Sequence, residues 1–456
     1  MKRILTILTS AAALTLQCAA ATYSSSERAC GFRDNDADRT VTFIFDNALW
    51  KAGTVNSVDV RGSFNNWTKT DGYSLTYDSE SSVWTVTLPY SKVRIPGNSG
   101  QPEYKFVTNG SSWQSGSGRS FIPEGYVFMT SDKNNIVIFN DDDLEAIRAN
   151  SRTANTVKKA AEFDTSTREG QEEVSNFRLV PGTKKLFRCY HPFKWSRESY
   201  DSEPVRIGFV QRLSEEKGIQ SDICLSGDDS GSLTSYNVNG KTYTEKVPAY
   251  YKSMTSAGHV LQVGTANGKT PSYEYVYYKS TSERFRQWVK EIVDFIIDDD
   301  TPAPFTIHCR LGTDRTGVFS AVLAALCGAS WDEIAADYQK SNRMCIKEFR
   351  DYHLLQYSFE QMLGADNIHD VSDIPGGIQD YFINNGTLTH DDIAAVRAKL
   401  GAESSDAVDP TSDVMQTSDS DMPVEYYNLQ GIRLDAPARG LNIRRQGTRT
   451  EKVFIP

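Results

Sequence analysis

His308-Cys309-Arg310-Leu311-Gly312-Thr313-Asp314-Arg315-Thr316-Gly317 is the stretch on which the reading of this chain turns. Just upstream, Phe305-Thr306-Ile307-His308 has the pattern of a short buried strand. Just downstream, Val318 to Cys327 has the pattern of an apolar helix, which Gly328 would end. A loop between such a strand and such a helix points backbone N–H groups, here those of Arg310, Leu311, Gly312 and Thr313, at one spot beside a helix N-terminus. That geometry favours an anion. A cysteine at the start of the loop has its thiolate stabilised by the same field. Arg315 offers a bidentate fork to two phosphate oxygens, and Thr316 offers a hydroxyl to the thiolate as it departs. His308 orients the loop by hydrogen bonds. Together these parts form a nucleophile and anion cradle suited to phosphoryl transfer through a cysteinyl-phosphate.

The surroundings of this stretch are mixed α and β from about residue 176 to residue 400. Phe285, Val289, Ile292, Val293 and Ile296 share one helical face, with Ser280 and Glu283 as the expected capping box. Ser330 and Glu333 form a second such box. From about Val41 to Asn140 the chain is all-β in pattern. Val41–Phe45, Ser57–Arg61, Trp84–Leu88, Glu103–Val107 and Asn135–Phe139 are short alternating or β-branched runs between Gly, Asn, Pro and Ser clusters, as in a sandwich. Leu144 to Ala161 has a helical period and connects the two regions.

Composition narrows the classes. With 39% hydrophobic residues the chain is no disordered polypeptide, and no apolar run approaches the length of a membrane-spanning helix. A net charge of −10 argues against a nucleic-acid binder that works by neutralising phosphates along a duplex. Seven cysteines in 456 residues are too few for a disulfide scaffold. His259, His353, His369 and His390 lack metal-ligand spacing, so neither metal nor cofactor is expected. At the N-terminus, Lys2 and Arg3, the apolar Ile4 to Leu16, and Ala19-Ala20-Ala21 make a signal peptide over 1–21. The Ser-, Asp- and Thr-rich stretch 403–423 is a linker, and 424–456 turns β-like again. The expected organisation is therefore a signal peptide at 1–21, a β-sandwich at 22–140, a helical connector at 141–175, an α/β domain at 176–402, a linker and a small β tail.

The ten-residue stretch resembles the signature loop of the protein tyrosine phosphatase superfamily, Cys-x5-Arg followed by Ser or Thr, in the form used by its secreted bacterial branch and lipid- or inositol-phosphatase relatives. Asn176-Phe177-Arg178 and Leu186-Phe187-Arg188 are similar to that branch's opening elements. Asp380-Tyr381-Phe382 and Leu388 to Ile393 are similar to its closing helix pair. The resemblance implies Cys309 as nucleophile, Arg315 as phosphate clamp and Asp314 as general acid. Asp228 and Asp229, in a Gly/Asp/Ser turn, are the rival source of that acid. Thr313 stands where the branch usually has lysine, a departure that bears on selectivity toward polyanionic substrates. The implied substrates are phosphotyrosine proteins, phosphorylated glucans, or inositol phosphates and phosphoinositides. A different class is a glycan-binding surface protein with a vestigial phosphatase domain.

Gly62-Ser63-Phe64-Asn65-Asn66-Trp67, Glu103 to Phe106, Trp113 and Asn134-Asn135 resemble the glycogen-binding module of the AMP-activated kinase β subunit. The resemblance implies an immunoglobulin-like sandwich with Trp67, Lys105, Trp113 and Asn134 as contacts to α-glucan. Indole faces stack on glucose rings, and Lys and Asn bond hydroxyls. The alternative for Trp67 and Trp113 is a place in the core. Glu425 to Leu434, Gly440 to Ile443 and Lys452 to Ile455 resemble a type IX secretion sorting domain, which implies passage through that machinery to the cell surface or medium; otherwise the protein stays periplasmic.

Overall fold

The structure is a computed structural model. It describes residues 22–114, 134–140, 142, 144–154, 156–197, 200–227, 232–266 and 268–402, and in the tail 424–427, 433–434, 436–437, 439–446 and 449–455. The proposed signal peptide, the whole of the linker 403–423, and Asp228 and Asp229 lie outside the described residues. The described residues up to 402 form one compact unit, and the tail forms a second.

Among the described residues, the N-terminal region is a single antiparallel sheet of eight strands. All five expected strands are present, but the last is confined to Asn135–Ile136. Phe32–Asn35, Ser74–Asp78 and Ser112–Gln114 are additional. Ser74–Asp78 pairs on one side with Val58–Gly62 and on the other with Val83–Pro89. It thereby joins what the sequence pattern suggested were two separate sheets into one curled sheet. Phe43, Phe45, Val58, Val60, Tyr104 and Phe106 share the core of that curl. Phe45, Trp50 and Phe106 meet there with ring centroids 5.1–5.8 Å apart, the geometry aromatic clusters prefer.

The connector helix ends at Ala154 rather than Ala161. Past it, Val157 forms a β-bridge with Ile346, so tertiary pairing overrides the helical period.

The second half of the unit is α/β. Its five-stranded sheet has Phe305–His308 at the centre, parallel to Leu186–Cys189 on one side and Ser221–Cys224 on the other. Val260–Gln262 and Arg178–Leu179 occupy the edges. The helix Glu283–Ile297 buries the predicted stripe Phe285, Val289, Ile292, Val293 and Ile296. Its cap is Ser282, whose hydroxyl accepts from Phe285 N–H; Ser280 is buried instead and donates to the Ser358 carbonyl. The Ser330/Glu333 box caps the helix Trp331–Lys340 as expected. The closing helices are Ile374–Asn384 and His390–Leu400. No helix among the described residues is long and apolar enough to cross a membrane. The described residues of the tail form a four-stranded antiparallel sheet.

Candidate functional site

Cys309 follows the C-terminal end of the central strand, and the helix Asp314–Leu326 begins five residues later. Ligands in open α/β sheets bind at this end of the strands. The loop between is held tightly. Gly312 has φ +72°, and a Cβ there would lie 2.2 Å from the Cys189 carbonyl oxygen, so only glycine fits. The Gly312 carbonyl itself accepts from Arg188 Nη2 at 2.8 Å and from Asn176 Nδ2 at 3.0 Å. Arg188 also bonds Asp337 Oδ2 at 2.7 Å, and Arg178 Nε bonds Asp337 Oδ1 at 2.6 Å. The two sequence elements around Asn176 and Arg188 therefore brace the cradle from below. Asp337, which nothing in the sequence pattern marks, is the anion that holds both arginines.

Cys309 is 3% exposed. Burial pushes its thiol up, but the Arg315 charge and the Thr316 hydroxyl and N–H outweigh burial and leave it below the ordinary thiol value. Thr316 Oγ has no other hydrogen-bond partner among the described residues, which leaves it to the sulfur. Arg315 is partly exposed, and its Nη1 donates to the Leu225 carbonyl at 3.0 Å. Arg310 Nη1 donates to the Trp195 carbonyl at 3.2 Å. Leu311 is partly exposed, and Thr313 is buried at the helix N-cap.

His308 is fully buried and bonded through both ring nitrogens. Nδ1 donates to the Cys309 carbonyl at 3.1 Å and Nε2 faces Asp222 Oδ2 at 3.0 Å. Asp222 also accepts from Thr306 and Tyr251. Burial opposes the imidazolium, yet the Asp222 carboxylate beside it holds the ring up to about 10. The neighbouring His191 is driven the other way, by burial first and then by the His308 charge.

Asp314 opens the helix. Its Oδ1 accepts from Arg350 Nε at 2.5 Å and from Tyr277 Oη at 3.0 Å. Tyr277 in turn bonds Tyr338 at 2.5 Å. Neither Arg350 nor Asp222 is visible in a local motif, because each lies tens of residues from its partner.

His191, Cys224 and His308 place ligand-type atoms within 4.8 Å of one another. They do not fit a metal. His308 Nε2 is given to Asp222 and its ring is cationic, while His191 Nδ1 accepts from the N–H groups of Phe193 and Lys194. No motif in the sequence around His191 marks it for this place beside His308.

On the N-terminal sheet, Trp67 is half-buried and Trp113 is 45% exposed, with ring centroids 6.4 Å apart. The Arg61 guanidinium lies over the Trp113 ring, and Lys105 is the cross-strand neighbour of Arg61. Asn134 differs: it is 8% exposed, and its amide donates to the buried Glu103 at 2.8 Å. A side chain so committed has little to offer a sugar.

Residues 225–402 match a family model described as the tyrosine phosphatase family. The match supports a tyrosine-phosphatase-like domain and hence a phosphatase acting on a phosphorylated substrate. It begins just after Ser221–Cys224, although that strand and Leu186–Cys189 flank the central strand of the same sheet. No curated protein matches the chain.

Proposed function

We propose that the chain is an exported cysteine-dependent phosphomonoester hydrolase acting on phosphoproteins, phosphotyrosine among them, or on phosphorylated glucan. The observation that carries the chemistry is the buried Cys309 thiol, brought down by Arg315 and Thr316 where a parallel strand meets a helix N-terminus. The Cys309 thiolate attacks phosphorus as the phosphate oxygens lie in the N–H groups of residues 310–313 and the Arg315 fork. The P–O bond to the leaving group breaks, and that oxygen takes a proton from Asp314. Water then attacks the cysteinyl-phosphate, returns a proton to Asp314 and releases phosphate, with Thr316 donating to the departing thiolate. His308 holds the carbonyl of Cys309 and places a fixed positive charge behind the loop.

The indole pair, Trp67 half-buried and Trp113 exposed, with Arg61 and Lys105 beside it, supports α-glucan binding on the N-terminal sheet. The terminal segments at 1–21 and 424–456 support export, the latter through a type IX-like machinery. Phosphate release from phosphotyrosine peptides, phosphorylated amylopectin and inositol hexakisphosphate tests the reading. Release from either of the first two supports it. Preference for the third moves the assignment to an inositol-phosphate phosphatase. No release from any of the three, or from a generic aryl phosphate, leaves a glycan-binding protein.

A further inference from the structure

Residues 345–351 form a seam between the two halves of the compact unit, and the N-terminal half holds it at several points. Thr156 and Lys158, in the connector, exchange backbone hydrogen bonds with Lys347 and Cys345 at 3.0 and 2.9 Å. Phe349 packs against Ile136 of the β module and Ile147 of the connector helix. Asp351 donates its N–H to the Asn98 carbonyl at 3.2 Å, and its carboxylate accepts from Asn150 at 2.9 Å. Gly100 presses so closely that a Cβ there would lie 2.6 Å from Asp351 Cγ.

Arg350 stands between these two gripped residues and reaches the other way, to Asp314. Its backbone is also held within the phosphatase half, by Asn342 at 2.8 Å on both N–H and C=O. Its guanidinium lies 5.5 Å from the centroid of the Tyr273 ring. Tyr273 in turn donates its hydroxyl to Asn98, and Tyr278 donates to the Pro96 carbonyl at 2.9 Å. One module turn, residues 96–100, thus touches both the ring under Arg350 and the residue following it.

We infer that this turn seats Arg350 on Asp314, so that Arg350 is the positioning residue for Asp314 and the β module is a working part of the active site. The inference rests on the reading of Asp314 as a group of the phosphate cradle. It reaches beyond a tethering role for the module. A module that only captured substrate would need no contact with the residues beside Arg350. The charged or titratable groups facing Asp314 are Arg350 from the seam, Tyr273 and Tyr277 from the helix Tyr273–Tyr278, Tyr338 from the helix Trp331–Lys340, and Cys309 from the loop. Arg350 also has Glu348 at 3.7 Å.

The test uses the full chain, with Asn98→Ala, Gly100→Ala, Arg350→Ala and Arg350→Lys. Turnover of an alkyl phosphate and of an activated aryl phosphate is followed at one pH. Arg350→Ala should lower kcat on the alkyl phosphate by on the order of tenfold or more, with KM and aryl turnover much less affected. Arg350→Lys should restore part of that loss. Asn98→Ala and Gly100→Ala should reproduce the alkyl-selective loss from the module side. Hydrogen exchange at residues 272–278 and 349–353 should quicken in both module variants, a readout that stands even if no phosphomonoester is turned over. Unchanged exchange in both overturns the seat. So does a loss equal on the two substrates, which marks general destabilisation. Lack of turnover by the wild type, with exchange quickened, overturns the phosphatase reading alone.

Discussion

Asp222 Oδ2 lies 3.0 Å from His308 Nε2, and neither side chain is more than 1% exposed. The carboxylate thereby holds a buried imidazolium one residue before the candidate nucleophile. Asp222→Asn keeps a hydrogen-bond acceptor but removes the charge, so His308 should become neutral near pH 7. Alkylation of Cys309 by iodoacetamide at pH 6 should then slow several-fold. The stability consequence has a definite sign. The ring's folded value, about 10, is above the ordinary 6.5, so its contribution is complete below about pH 6.5 and is lost as pH rises through about 10. The gap in denaturant midpoint between wild type and Asp222→Asn should be widest below pH 6.5 and narrow toward pH 10.

Removing Asp337 leaves Arg178 and Arg188 facing each other without an anion. Both arginines are buried, their side chains 11% and 1% exposed. Asp337→Ala should cost about 3–5 kcal/mol in urea unfolding, the range for breaking a buried pair on one side. Because Arg188 also holds the Gly312 carbonyl, the fraction that remains folded should turn over more slowly.

Cys309→Ser should abolish turnover of every phosphomonoester while circular dichroism and phosphate-analogue binding persist, because only the thiolate is a competent nucleophile in this cradle. Arg315→Lys should also lose most activity, since a point charge cannot replace the planar fork. Substantial turnover by the serine variant would remove Cys309 from its role.

Asp314→Asn should slow alkyl phosphates by about 10²-fold or more and activated aryl phosphates far less, as expected for loss of a general acid. Equal slowing of both would leave Asp314 as an anchor for Arg350 and shift attention to Asp228 and Asp229.

Trp67→Ala with Trp113→Ala in the full chain should weaken α-glucan binding by on the order of 1 kcal/mol or more for each lost stack. It should reduce the rate on phosphorylated amylopectin, through loss of effective concentration, and leave the rate on a soluble aryl phosphate unchanged. Asn134→Ala should act differently: by freeing the buried Glu103 it should lower stability more than affinity.

The sequence by itself determined the parts whose physics is local. The strand Phe305–His308, the loop from Cys309 and the helix from Asp314 follow from apolar runs meeting at a glycine-containing turn. The helix stripe from Phe285 to Ile296 follows from its period, and five strands of the N-terminal sheet from alternation. Caps were less secure: Ser280 has the capping-box spacing to Glu283, yet packing buries it against Ser358 and Ser282 caps the helix instead. What only the tertiary structure decided are contacts between residues far apart in the chain. The partners Asp222 for His308, Asp337 for Arg178 and Arg188, and Arg350 for Asp314 lie 86, 159, 149 and 36 residues apart. Their pairing is set by burial, which makes an unpaired charge costly and leaves the fold to bring its counter-ion. The same holds for Asn134, whose type suits a sugar but whose amide the fold commits to Glu103, and for Ser74–Asp78, whose pairing on both edges turns two expected sheets into one.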